Sequence, residues 1–292
     1  MQVKLRETAR QLLSEKKVDV VIGYGETETR AVGAVFIRDP NEVGKLIWDN
    51  RCRTNLTTYL KRKEVRALGK PAVVVKGCDS RSLVTLQVES QITRDELVVI
   101  GMACEGVIQE IPGKAASAEG ELCEKCTVCD VHQPIGCDLV IGEVANPDVS
   151  PGERYAMLER ITAMPPTERM QYWSKQFECC FKCYACRQSC PLCYCNVCIA
   201  DKNRPIVIEP SSSLKGNFAW QIVRAFHLAG RCSGCGECER ACPAGIELSL
   251  LNLTLAKSAE EHFHFRPGME FGENAEQLIG TFSEQDQEEF IR

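Results

Sequence analysis

Apolar positions follow two rhythms over the first 150 residues. Val3, Leu5, Ala9, Leu12 and Leu13 fall on one face of a helix. Residues 18–22 and 33–37 read as strands, and helical stretches follow around 41–49 and 55–67. Residues 71–76 are nearly all apolar, the pattern of a strand buried on both faces. Asp79-Ser80 can cap a helix running to about Gln91, and 97–100 is a fourth strand. Strands alternating with helices predict an α/β domain with a mainly parallel sheet.

The rhythm then breaks. Residues 105–150 are irregular and rich in Gly and Pro, and hold Cys123, Cys126, Cys129 and Cys137. From Pro151 to about Gln176 the pattern is helical, interrupted at Pro165-Pro166. A cysteine-dense module fills 179–243, split by a segment of loop composition (200–217) and a helix over 218–228 that Gly230 stops. A last amphipathic helix covers about 246–262. The expected organisation is an α/β domain (1–150), an α+β two-cluster ferredoxin-like domain with flanking helices (151–265), and an acidic tail (266–292), mobile or docked on a partner.

Composition narrows the chemistry. The 292 residues suffice for two cores. The formal net charge is −5 with both signs mixed and no basic block, which argues against nucleic acid. The opening MQVKLRETAR lacks the apolar region of a secretion signal, and no apolar run approaches the ~18 residues of a membrane helix, so a cytoplasmic location is expected. Nineteen cysteines decide the rest. Disulfide scaffolds favour short secreted chains and even counts, and zinc rarely needs four cysteines within eleven residues. Iron–sulfur clusters explain both the number and the bunching.

Two runs share one spacing: Cys180, Cys183, Cys186 and Cys190-Pro191, then Cys232, Cys235, Cys238 and Cys242-Pro243. In two-cluster ferredoxins the fourth cysteine of each run ligates the other cluster. The spacing therefore assigns one 4Fe-4S cluster to Cys180, Cys183, Cys186 and Cys242, and a second to Cys232, Cys235, Cys238 and Cys190. Gly234 and Gly236 allow backbone to approach a cluster closely.

Other thiols leave alternatives open. Cys193, Cys195 and Cys198, with Cys179, are either an additional cluster or metal site or free thiols packed as small hydrophobes. Cys123, Cys126, Cys129 and Cys137, together with Cys78 and Cys104, offer more ligands than four positions require. Cys78 and Cys104 each follow the end of a strand, where functional groups collect in open α/β sheets. Gly23-Tyr24-Gly25 lacks the third glycine of a dinucleotide turn and reads as a tight turn. Trp220, Arg224 and His227, on the helix entering the second run, read as packing or surface groups, with a place beside the cluster as the alternative.

The segments KCYACRQSCPLCYCNVC and RCSGCGECERACP, with PAVVVKGCDSRSL, ITRDELVVIGMACEG and LCEKC in order before them, resemble the beta subunits of formate dehydrogenases and of deazaflavin-reducing (coenzyme F-420) hydrogenases. The resemblance implies a third 4Fe-4S cluster in the N-terminal domain, on Cys78, Cys104, Cys123 and Cys126, with Cys137 as a reserve ligand and Cys129 peculiar to this chain. Such subunits typically hold FAD and reduce the deazaflavin. This chain lacks the glycine-rich segment expected near the N-terminus and has only a brief stretch between Cys104 and Cys123. Those regions could have built a flavin pocket.

The expected function is an electron-relay subunit of a larger redox complex, partnered by a formate dehydrogenase or hydrogenase catalytic subunit, an NAD(H) flavoprotein or a heterodisulfide-reductase-like assembly. No general acid, base or nucleophile stands out. An FAD-bearing subunit acting on a nicotinamide or deazaflavin carrier is the first alternative, and a structural iron–sulfur module the second.

Overall fold

The central strand of the first sheet is β3 (Pro71–Val75), whose residues 72–75 are fully buried. A computed structural model describes residues 1–28, 31–109, 120–200, 205–206, 208–272 and 275–278. It divides into two units, Met1–Ser150 with Gly268–Ala275, and Pro151–Pro267 with Glu276–Arg292.

In the first unit, helix α1 (Gln2–Ser14) buries Leu5, Ala9, Leu12 and Leu13. Strand β1 (Val20–Glu26) pairs antiparallel with β2 (Val32–Ile37), Val21 facing Ile37. β1, β3, β4 (Val98–Met102) and β5 (Leu139–Ile141) are parallel neighbours, giving the order β2-β1-β3-β4-β5. The unit is therefore an α/β sheet with mostly parallel strands.

Local chemistry explains where the elements depart from expectation. In place of helices over 41–49 and 55–67 stand 3₁₀ turns at Pro40–Lys45 and Leu56–Tyr59, then the single-turn α2 (Lys63–Arg66). Asp39 and Asn55 accept from the N–H groups two residues on, at 2.9 and 3.1 Å, and so start tight turns that compete with an α-helix. Helix α3 (Gly77–Val88) begins before Asp79, which lies in its first turn and caps it from there, its carboxylate accepting from the Lys76 N–H at 3.2 Å. It ends three residues short of Gln91, where Ser90 turns left-handed (φ 55°). The single-turn α4 (Glu124–Thr127) and the three-residue β5 lie in the stretch read as irregular; both are too short to show a period.

The second unit is helical: α5 (Pro151–Arg154), a 3₁₀ turn at Ala156–Leu158, α6 (Glu159–Thr162), then α7 (Pro166–Glu178). Pro166 at the first turn of α7 needs no N–H partner there, so the diproline that ends one helix also opens the next. Trp173 and Phe177 of α7 are buried and stacked at 5.6 Å. After α8 (Ala185–Ser189), helix α9 (Leu214–His227) starts four residues earlier than the pattern suggests, because the Ser213 hydroxyl accepts from Gly216 N–H. The single-turn α10 (Glu237–Arg240) and α11 (Leu248–Phe263) complete the unit. Among its described residues there is no strand, where α+β was expected: the cysteine runs carry no period-2 alternation and form loops with short helices. Most of the acidic tail, 279–292, lies outside the described residues. Among the described residues no helix is long and apolar enough to cross a membrane.

Candidate metal centre

The two cysteine runs fold alike. Left-handed residues flank the second cysteine of each: Lys182 (φ 53°) and Tyr184 (φ 61°) around Cys183, Gly234 (φ 70°) and Gly236 (φ 73°) around Cys235. A short helix follows in both, α8 after Tyr184 and α10 after Gly236. Turns of this kind aim successive N–H groups at one point and make anion cradles, iron–sulfur sites among them. Glycine reaches that conformation freely, whereas Lys182 and Tyr184 hold it against the usual Cβ strain.

The thiols gather across the runs. Cys190 lines one small pocket with Cys232, Cys235 and Cys238 of the other run, beside Gly234, Gly236 and Asn252. In the other direction, Cys186 lies within electrostatic reach of Cys180 and of Cys242. Cys183 is exposed. Amide donors reach two of the sulfurs: Gln221 Nε2 to Cys180 Sγ at 3.7 Å, and Asn252 Nδ2 to Cys238 Sγ at 3.5 Å. Burial pushes the Cys186 thiol up to about 11, with Arg224 working against it. Cys238 is raised further by burial, and Cys190 by its hydrogen bond to Cys193 and then by burial. Loading metal on these groups must therefore release protons.

Among the described residues no three His, Cys, Asp or Glu side chains converge as they would around a single metal ion. A 4Fe-4S cube spreads its four ligands over four irons, one to each. Thiol-only donors, paired left-handed cradles and amide donors aimed at sulfur all fit such a group. Cys193 joins Cys190, while Cys195 and Cys179 are exposed and Cys198 packs against the unit's core.

In the first unit, β3 and β4 are neighbours, so Cys78, in the first turn of α3, and Cys104, two residues beyond β4, stand at the same carboxyl edge. Cys104 is raised by burial and feels Cys126; Cys123 and Cys129 are likewise raised by burial and also feel Cys126. Val107 N–H donates to Cys126 Sγ at 3.4 Å. Cys137 is not brought to this group: its Sγ packs under Gly101, it donates to Ile135 O at 3.3 Å, and Arg94 and Asp138 are the charges nearby.

Sequence reasoning missed the residues behind these thiols. Lys76 is 1% exposed, its side chain ion-paired to Asp79 Oδ2 at 2.7 Å and hydrogen-bonded to Thr54 O at 3.1 Å and to the Tyr24 hydroxyl. Burial opposes its charge, but Asp79, Cys78 and Cys104 together hold the ammonium above the ordinary lysine range. The available signal was a lone lysine between an apolar strand and the pair Gly77-Cys78. Gly77 is as constrained: a Cβ there would stand 1.8 Å from Val131 O. Gly77→Ala is expected to shift the 131–135 loop and destabilise the first unit; a urea-unfolding midpoint equal to that of the parent protein would refute this.

No family model matches the chain. It is similar to the F420-dependent formate dehydrogenase subunit beta of Methanocaldococcus jannaschii, 24% identical over a 351-residue alignment covering 89% of this chain and 90% of the relative. That alignment is longer than the chain's 292 residues, so the relative carries stretches with no counterpart here.

Proposed function

We propose that this chain, a distant relative of the formate dehydrogenase beta subunits, is an electron-relay subunit of a larger oxidoreductase complex. The observation that carries the reading is the pocket in which Cys190 meets Cys232, Cys235 and Cys238. That is the crossed arrangement a two-cluster ferredoxin domain requires. On this reading Cys180, Cys183, Cys186 and Cys242 hold one 4Fe-4S cluster, Cys232, Cys235, Cys238 and Cys190 a second, and Cys78, Cys104, Cys123 and Cys126 a third. Clusters of this kind, when bound, exchange single electrons.

The chain's own groups then have clear tasks. Gln221 and Asn252 donate to ligand sulfurs and favour the reduced state of each cluster. The buried walls around Cys186, Cys190 and Cys238 keep water from the sulfurs. A two-electron substrate needs a flavin or metal centre on another subunit. Partners of suitable chemistry are a formate dehydrogenase or hydrogenase catalytic subunit, an NAD(H) flavoprotein, or a heterodisulfide-reductase-like assembly.

The test is iron, sulfide and flavin content of the anaerobically purified chain, with EPR of the reduced sample. About twelve irons without flavin, four per cube, is the expected result. About eight irons with stoichiometric FAD would overturn it and make the first unit a flavin enzyme.

A further inference from the structure

We infer that Arg224 is a shared counter-ion, a single buried cation set between the two cysteine groups of the second unit that raises the reduction potential of both clusters. The inference rests on the reading that those cysteines hold two clusters, and adds to it the residue that tunes them together.

Arg224 lies in the last turn of α9 and is 5% exposed. Its Nη2 donates to Cys186 O at 3.1 Å, and its Nε is buried with no hydrogen-bond partner. A guanidinium removed from water is normally matched by a carboxylate. Here the ionisable groups within electrostatic reach are thiols: Cys193, Cys190, Cys238 and Cys186. They sort onto both sides. Cys186 belongs to the first group, and Cys190 and Cys238 belong to the pocket of the second. One turn earlier on the same helix, Gln221 reaches Cys180 with a neutral amide. α9 thus presents an amide to one group and a full charge to both.

The physical consequence has a fixed sign. A cluster on four thiolates is anionic, and each added electron makes it more so. A cation in the same low-dielectric interior favours the reduced state, and its reach spans both groups. A purely structural arginine would only anchor the Cys186 carbonyl, and a neutral hydrogen-bond donor could replace it.

The experiment is a redox titration of the holoprotein followed by EPR, with iron counted on every sample. In Arg224→Gln, which keeps a donor and removes the charge, both midpoints of the second unit should move negative. The expected loss is about tenfold in preference for the reduced state, which is 59 mV for a one-electron couple. Arg224→Lys should restore most of that shift. Unchanged midpoints in the glutamine variant, or movement of one alone, would overturn the inference. Should the glutamine variant lose iron, the lysine variant decides: full iron supports the role of charge, and equal loss refutes it. A parent protein with fewer than two clusters in this unit would instead sink the relay reading beneath it.

Discussion

Lys76→Met should destabilise the first unit by about 3–5 kcal/mol, the cost of leaving one partner of a buried ion pair alone. Its Nζ lies 2.7 Å from Asp79 Oδ2, and the two side chains are 2% and 1% exposed. No water reaches that carboxylate, so a methionine of similar length fills the volume and leaves an uncompensated charge. Tyr24, which donates to Thr54 O at 2.6 Å, and the Lys76 N–H, at 3.2 Å from Asp79 Oδ2, can soften the loss without cancelling it. The double variant Lys76→Met/Asp79→Leu should recover most of the stability, since an apolar pair of similar size often replaces a buried ion pair at little cost. Urea denaturation with hydrogen exchange at β1 and β3 measures both. A single variant within about 1 kcal/mol of the parent would show that the pair is dispensable.

The pair's pH dependence follows from its sign. Lys76 is held protonated above its ordinary range. Its contribution is therefore complete below about pH 10.4, the unperturbed lysine value, and disappears only as pH rises through the higher folded value. Stability between pH 6 and 9 should not change through this residue.

Lys76 also shows where sequence reading stops. Strand β3 was legible because its residues are apolar without alternation, and that pattern belongs to a strand covered on both faces. The same burial hides the lysine, and nothing local says that Tyr24, from β1, will meet it. Asp79 was readable as a cap and serves as one from the third helical position; its ion pair with Lys76 was not, because it depends on the strand-to-helix turn at Gly77. The positions of Cys78 and Cys104 were legible, since strand ends place them whatever their partners, whereas the 3₁₀ turns at 40–45 and 56–59 were not. There the hydrophobic spacing suits a helix, and two Asx side chains override it. Arg224 falls between these cases. Its place on α9 could be read, but its burial required the fold of both cysteine runs.

The proposed crossed ligation gives the other large effect. Cys190→Ser should remove the cluster of the second run and leave that of its own, with a loss of about four irons. Its EPR deficit should match that of Cys235→Ser, because the two thiols line one pocket. Cys242→Ser should in turn match Cys183→Ser, because Cys242 lies within electrostatic reach of Cys186. Cys193 complicates the first pair: it is hydrogen-bonded to Cys190 and stands three residues on, so it is placed to take over, and it also lies within electrostatic reach of Cys186. Cys193→Ala alone should leave the iron count unchanged, and adding it to Cys190→Ser should make the loss complete. Four variants then sort into two spectroscopic classes by space and not by sequence order. If Cys190→Ser instead resembled Cys183→Ser, each run would be holding its own cluster. The pocket shared by Cys190 and the second run would then be packing alone, and the relay built on it would lose its support.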